Sequence, residues 1–161
     1  MKEKTPSMET TERLVKSHSG RLYRHCYAMV HNEEDARDLV QETFLRYMRA
    51  APQLTDAEHE KAWLLTVAMN LCRNHLRQQR AHAPLPLEEA LLTPDTDEGT
   101  PLLDRLMILP DKVRMVLLLH YVEGYKVREI ATRLHLTPST VKMRLQKGRQ
   151  LLRDIIKEED E

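Results

Sequence analysis

The residues best suited to bind a charged polymer lie near the end of the chain. Lys142, Met143, Gln146 and Lys147 stand at spacings of one and three residues, which puts them on one face of any helix that contains them. Ammonium groups bond phosphates, and amides bond base edges in the major groove of a DNA duplex. This face therefore predicts a nucleic-acid contact, with two short polar residues just ahead of it, Ser139 and Thr140.

Two apolar patterns separated by a tight turn must position that face. The turn contains His135 and Leu136, and it is followed by Thr137 as a helix N-cap and Pro138 at the first helical position. This arrangement predicts a helix-turn-helix. The alternative to a helix-turn-helix is an ordinary pair of amphipathic helices with basic residues on the surface. The apolar residues on the two sides of the turn are Val127, Ile130, Ala131 and Leu134, then Val141, Leu145, Leu152 and Ile156.

The charge distribution supports this interpretation. The chain has 25 basic and 25 acidic residues and no net charge. Residues 100–157 nevertheless hold 12 basic and 5 acidic residues, whereas residues 83–99 and the last four residues are acidic. A basic unit of this size is the electrostatic footprint of a nucleic-acid binder, although a solvated helical surface has the same charge.

Composition excludes several classes of protein. Only 4% of the 161 residues are aromatic and four are glycine, which favours helices over sheets. Two cysteines cannot form a disulfide framework, and no run reaches the roughly 18 apolar residues of a membrane span. We expect a cytoplasmic protein that inserts into no membrane. The histidines near Cys26 have poor spacing for zinc, and no nucleophile or phosphate-loop signature occurs, so we expect no metal, no cofactor, no small-molecule substrate and no enzyme activity.

Periodicity divides the chain into two helical units. Residues 83–100 are acidic and rich in proline, which predicts a flexible linker between a domain over 1–82 and a domain over 101–161. The first domain is predicted to hold helices over 11–30, 33–50 and 57–80. The second is predicted to hold four helices, with breaks at Pro110, Gly124 and the turn. The fold class is therefore all-α: two small helical domains, the second a four-helix unit with the helix-turn-helix.

Predicted inward residues define the core of each unit. Those of the first unit are Leu14, Val15, His18, Leu22, Cys26, Met29, Val30, Ala36, Val40, Thr43, Phe44, Tyr47, Leu64, Val67, Ala68, Leu71 and either His75 or Leu76. Those of the second helix of the second unit are Val113, Val116, Leu117, His120 and Tyr121. Cys72 lies in the middle of the third helix and is predicted to be a buried small hydrophobe and not a redox switch.

Three segments resemble the minimal, extracytoplasmic-function type of bacterial RNA polymerase sigma factor of the sigma-70 family. They are EEDARDLVQETFLRYMRA, AWLLTVAMNLCRNHLRQQR and LPDKVRMVLLLHYVEGYKVREIATRLHLTPSTVKMRLQKGRQLLRD. Their order, their spacing and the acidic linker match this family over about residues 14–157. The resemblance implies a factor that binds core RNA polymerase and directs promoter-specific initiation by reading −10 and −35 elements.

The resemblance also implies roles for individual residues. The polymerase is expected to bind a face of the second helix that the core leaves unused: Asp38, Gln41, Glu42, Leu45 and Arg49. The melted −10 strand is expected on the third helix, at Asn70, Arg73, Asn74, Arg77 and Arg80. The loop 51–60 is expected to form a pocket for a flipped base, and Trp63 is expected to be structural.

At the −35 element the resemblance implies base contacts by Lys142, Met143, Gln146 and Lys147. Phosphate contacts are expected from Thr140, Arg144 and Arg149. Departures from the family are Asn74, Ser139, His135 and Met143, which indicate an altered promoter preference. Expected partners are core RNA polymerase, promoter DNA and an anti-sigma factor. A stand-alone helix-turn-helix regulator and a sigma mimic that binds only an anti-sigma partner are the alternatives.

Overall fold

The structure, a computed structural model, describes residues 6–82 and 101–160. These ranges contain seven α-helices and no strand. The helices are α1 (Met8–Val30), α2 (Glu33–Ala50), α3 (Ala57–His82), α4 (Pro101–Ile108), α5 (Asp111–Leu117), α6 (Val127–Leu134) and α7 (Pro138–Asp160), with a π-helical turn over Leu118–Val122. The chain divides into two compact units at Asn74, within α3. The predicted linker lies outside the described residues.

Short polar residues begin four helices, and one of them, Thr137, was predicted as an N-cap. The backbone N–H groups three residues on donate to the side chains of Ser7 (3.1 Å), Asn32 (2.9 Å), Asp56 (2.8 Å) and Thr137 (3.2 Å). Each bond satisfies one of the donors that a helix N-terminus leaves free. Residues with a left-handed backbone close three helices, at His31, Ala51 and His135. These local signals explain why the predicted helix bounds lie within a few residues of the observed ones.

The first unit buries one stripe of each of its three helices. Leu39 is buried in α2, whereas Val40, which the sequence predicted to be inward, is only half-buried. Val15 was also predicted to be inward, and it is exposed. Both differences are one-residue errors at the edge of an apolar stripe. The largest fully buried side chains of the unit include Leu14, Leu22, Cys26, Met29, Leu64, Leu65 and Met69.

In the second unit a buried arginine ties α4 to α5. The Arg114 guanidinium donates to the carbonyl of Leu109 at 2.9 Å and lies 3.4 Å from the Asp111 carboxylate. Because a buried charge is costly unless it is paired and hydrogen-bonded, these contacts are what permit its burial. Apolar periodicity does not predict that Arg114 is buried.

The π-helical turn overturns one predicted core residue. The N–H of Glu123 bonds the carbonyl of Leu118, five residues back, so one extra residue is inserted into the helical turn. Tyr121, predicted to be inward, is 57% exposed as a result, and His120 is half-buried with its Nδ1 2.8 Å from the Tyr125 carbonyl. Gly124 follows with a φ of 77°, which suits its predicted role in ending the helix.

Gly148 is required where α7 crosses α5. A Cβ added there would lie 2.6 Å from Leu117 Cδ1 and 2.9 Å from Val113 Cγ1. Overpacking costs about 1–3 kcal/mol, against about 1 kcal/mol gained in helix propensity. We therefore expect Gly148→Ala to lower the free energy of unfolding by about 1 kcal/mol, measured by chemical denaturation.

Gly20 in α1 is the matched control for Gly148. It is exposed, and the nearest atom to an added Cβ is Arg24 Nη1 at 3.5 Å. Gly20→Ala is expected to stabilise by about 0.5–1 kcal/mol, because only the propensity gain remains. Equal stabilisation by both substitutions would contradict the close approach of α5 and α7.

Candidate nucleic-acid interface

The α7 helix presents the predicted duplex-binding face to solvent. Lys142, Met143, Gln146 and Lys147 are all exposed, and Met143 reaches 62% exposure. Val141 and Leu145, on the opposite side of the helix, are buried. The structure therefore brings the four predicted base-contacting residues together on one surface at the capped end of α7.

The turn before α7 fixes the angle between the two helices. His135 adopts a φ of 56°, and the Leu136 N–H donates to the Ala131 carbonyl at 2.8 Å. Ala131 is buried, and its small side chain permits α6 and α7 to approach. A short first helix, a tight turn and an exposed second helix are the geometry by which helix-turn-helix proteins enter a major groove.

The other predicted −35 residues are arranged differently. Ser139 is exposed, Arg144 is half-buried, and the Thr140 hydroxyl lies 2.8 Å from the Thr137 hydroxyl. Arg149 donates to the hydroxyl of Tyr121 at 2.9 Å. Arg149 also lines a groove described below, so the structure does not group it with the four residues of the exposed face.

The predicted −10 residues lie along α3 with unequal exposure. Asn74, Arg77 and Arg80 are exposed, whereas Asn70 and Arg73 are half-buried. The three arginines therefore do not present one uniformly exposed cationic face. Asn70 Oδ1 and Arg73 Nε are buried atoms that have no hydrogen-bond partner among the described residues. An unsatisfied buried amide oxygen costs about 1–3 kcal/mol, which a ligand that donates a hydrogen bond would offset.

A cavity of about 520 Å³ opens between α2 and α3. Its lining consists of Arg46, Arg49, Ala50, Trp63, Val67, Asn70, Leu71 and Asn74. No residue of the loop 51–60 lines it, so the structure forms a cavity from helix residues where the sequence predicted a loop pocket. Trp63 is not a fully buried core residue: it is half-buried and forms part of the cavity wall.

All three acidic residues near that loop have partners within the protein, and two of them are held by hydrogen bonds. Asp56 caps α3, and Glu60 is buried, with its carboxylate accepting from the Arg13 guanidinium at 2.9 and 3.4 Å. Their negative charges are thus partly compensated by a helix N-terminus and by a guanidinium. Glu58 is exposed and lies 3.3 Å from the Lys61 ammonium group.

The predicted polymerase-binding residues lie on the outer side of α2. Asp38, Gln41 and Arg49 are exposed, and Leu45 is 41% exposed. Glu42 is half-buried and lies 3.3 Å from Arg46 and 3.8 Å from Arg49. Met48, which sequence reasoning missed, is 40% exposed one turn from Leu45, and it enlarges the apolar part of this surface.

An apolar groove of about 480 Å³ in the second unit was also missed. Tyr121 lines this groove because the π-helical turn directs its side chain outward. Apolar periodicity does not predict such a turn. The groove is lined by Leu106, Leu117, Leu118, Tyr121, Val122, Arg149, Leu152, Arg153 and Ile156.

Burial lowers the pKa of His18, and the nearby Glu60 carboxylate, 3.8 Å from Nε2, opposes that shift. Because the pKa in the folded state is lower than the unfolded value of about 6.5, the unfolded chain binds the proton first as pH falls. We expect the free energy of unfolding to decrease as pH is lowered below about 6.5, measured by urea denaturation. His18→Gln should flatten this dependence, and an unchanged dependence in this variant would contradict the assignment to His18.

Comparison with known proteins identifies the class. Residues 14–82 match Sigma-70 region 2, and residues 100–152 match Sigma-70 region 4. The chain is 32% identical to the ECF RNA polymerase sigma factor SigL of Mycobacterium tuberculosis over 90% of this chain and 88% of SigL. It is 31% identical to the ECF RNA polymerase sigma factor SigE of Mycolicibacterium smegmatis over 93% of this chain, and it spans 63% of the length of SigE.

The chain belongs to the extracytoplasmic-function group of the sigma-70 family. It is thus a promoter-recognising initiation factor that binds core RNA polymerase and DNA, and a stand-alone helix-turn-helix regulator is not favoured. A sigma factor RpoE from Bartonella quintana, solved in complex with the anti-sigma factor NepR, has the same two-unit helical fold, with a TM-score of 0.70 at 17% identity over 93% of this chain and 98% of that one. None of the helices in the described ranges is long and apolar enough to cross a membrane.

Proposed function

We propose that the two family regions divide promoter recognition between them. Residues 1–82 bind the polymerase and the melted −10 strand, residues 101–161 bind the −35 duplex, and residues 83–100 connect them. The observation that carries this proposal is the exposed face of Lys142, Met143, Gln146 and Lys147 at the capped start of α7. Two weak contacts joined by a tether raise each other's effective concentration to about the millimolar range. Neither region then needs to bind DNA tightly alone.

The chemistry of the α7 face indicates how it reads sequence. Lys142 and Lys147 bond guanine acceptors or phosphates, and Gln146 bonds adenine in a bidentate manner. Met143 has no hydrogen-bond donor, but it contacts a thymine methyl group through its apolar side chain. Supporting contacts are assigned to Ser139, Thr140, Arg144 and Arg149. A phosphate contact by Arg149 would compete with its hydrogen bond to Tyr121.

Lys147→Ala is expected to weaken binding to a −35 duplex by about 1–3 kcal/mol, roughly 5- to 150-fold. The lysine is exposed, so its removal should leave the stability of the unit unchanged. A footprinting titration with reconstituted holoenzyme measures the effect. Lys157→Ala, which removes the same charge from the far end of α7, is the control. Equal promoter affinity for the wild type and Lys147→Ala would refute the assignment of α7.

At the −10 element we assign capture of an unpaired base to the cavity between α2 and α3. Apolar walls at Trp63 and Leu71 suit a base face, and the buried Asn70 oxygen is an acceptor for a base N–H. Arg46 and Arg49 at the lining, with Arg73, Arg77 and Arg80 farther along α3, supply cations for the strand's phosphates. The polymerase is assigned to the α2 surface formed by Asp38, Gln41, Glu42, Leu45 and Arg49.

An anti-sigma factor is a proposed protein partner. The fold neighbour RpoE was solved with the anti-sigma factor NepR, which supports the expectation for this chain. The apolar groove of the second unit is its candidate surface, because contiguous exposed apolar area of this kind marks protein interaction sites. The protein is proposed to act in the cytoplasm and to have no enzymatic activity of its own, since the polymerase performs the chemistry.

A run-off transcription assay tests the proposed function as a whole. Core polymerase is incubated with genomic fragments in the presence and absence of the protein. Discrete protein-dependent transcripts are expected, and they should disappear when fragments lack the promoter's −35 sequence. Failure of the protein to co-elute with core polymerase would refute it.

A further inference from the structure

A partly buried polar cluster lies at the start of α3, one turn before the cavity residue Trp63. Its centre is Glu60, which is 6% exposed and whose carboxylate is held by the Arg13 guanidinium and lies 3.8 Å from His18 Nε2. None of these three residues lines the cavity. The Arg13 side chain is 57% exposed, and ion pairs that reach solvent contribute little to stability, so stability alone is a weak reason for the presence of this pair.

Tyr47 connects this cluster to the cavity wall. Its ring meets Trp63 edge to face, with centroids 5.9 Å apart and an interplanar angle of 75°. Burial raises the pKa of the Tyr47 phenol, and the charge of Glu60 raises it further, which indicates that the phenol lies within the field of that carboxylate. Tyr47 therefore contacts the residue that forms the wall, and it lies near the carboxylate that is tied to Arg13.

The arrangement couples the two helices that form the cavity. Glu60 and Trp63 are three residues apart on α3 and share one side of that helix, whereas Tyr47 belongs to α2. Tyr47 is buried in a closely packed interior, so its ring is a fixed surface against which the Trp63 indole packs. Edge-to-face aromatic pairs have a preferred geometry, and this preference fixes the angle of the indole.

We propose that Tyr47 is a positioning residue for −10 recognition: it holds Trp63 at the angle that an unpaired base requires, while Glu60 and Arg13 hold the first turn of α3 against α1. The inference rests on the proposed base capture in the α2–α3 cavity. It assigns no DNA contact to Tyr47, Glu60 or Arg13. Their effect on promoter melting is exerted entirely through the wall of the cavity.

Trp63 is the only tryptophan of the chain, so its fluorescence reports on the cavity wall directly. The test uses the full chain, titrated with a labelled single-stranded oligonucleotide that carries the −10 non-template sequence of a promoter found in the run-off assay. Tyr47→Leu removes the ring, and Tyr47→Phe keeps it. Tyr23→Leu is the control, because Tyr23 packs on Tyr27 within α1 and lines no part of the cavity.

Tyr47→Leu is expected to shift Trp63 emission and to weaken strand binding by about tenfold, while binding to core polymerase stays within about twofold. Tyr47→Phe and Tyr23→Leu should stay within about twofold in both assays. If Tyr47→Leu does not fold, Glu60→Gln replaces it, with an emission shift and an about threefold to tenfold loss expected.

Two results would overturn the inference, and they are distinguishable. A folded Tyr47→Leu or Glu60→Gln chain with unchanged emission and unchanged strand affinity removes the positioning role and leaves the cavity assignment standing. A wild-type chain that binds the oligonucleotide by anisotropy, with no change in Trp63 emission, shows that no base enters the cavity. That second result refutes the proposed base capture and this inference together.

Discussion

A Leu45→Asp variant is expected to lose affinity for core RNA polymerase by about 2–4 kcal/mol, roughly 30- to 1,000-fold. Leu45 is 41% exposed on α2, and Met48 extends the apolar surface by one turn. Carboxylate, amide and guanidinium groups surround this apolar centre, which is the composition of a protein interface with a polar rim. An aspartate there would bury an unpaired charge at the centre of the contact.

Val15→Asp is the matched control for this effect. Val15 is 37% exposed on α1, so the chemical change and the exposure are nearly the same at a position outside the α2 surface. Both variants should lose a similar small amount of stability, because the two side chains are covered to nearly the same extent. Binding is measured by anisotropy of the labelled chain titrated with core polymerase. Equal affinity of Leu45→Asp and Val15→Asp would exclude α2 as the polymerase-binding surface.

The helices were predictable because their signals are local. Asn32 and Thr137 cap the helices that follow them through bonds spanning three residues, and Pro138 stands at the first position of α7. The exposed α7 face was predictable for the same reason, since helical periodicity alone puts Lys142 and Lys147 on one side. Helix caps and exposed helix faces can be predicted without knowing which other segments the helix contacts.

Features that depend on distant contacts were not predictable. Glu60 is buried because Arg13, 47 residues earlier, reaches its carboxylate. The α2–α3 cavity exists only where two helices meet, so neither helix alone indicates it. Tyr121 was placed wrongly because a regular period of 3.6 residues was assumed across a segment that forms a π-helical turn.

Asn70→Leu is expected to weaken binding of the single-stranded −10 element by about 1–3 kcal/mol, roughly 5- to 150-fold. The substitution keeps the shape of the side chain and removes its hydrogen-bonding groups. The Asn70 oxygen is buried, and within the described residues it has no hydrogen-bond partner. Removing an unsatisfied buried group is neutral or stabilising, so the free energy of unfolding should stay the same or rise. We therefore expect Asn70→Leu to weaken binding of the single strand without lowering the free energy of unfolding.

Thr66→Val on the same helix is the control for Asn70→Leu. The Thr66 hydroxyl donates to the Ala62 carbonyl at 2.7 Å, and Thr66 does not line the cavity. This variant removes a polar group of α3 and should leave strand binding unchanged. Holoenzymes with each variant are compared for affinity to a labelled single strand and for permanganate reactivity of the melted promoter. If Asn70→Leu lowers stability and keeps strand affinity, the amide supports the fold of α3 and does not accept a hydrogen bond from a base.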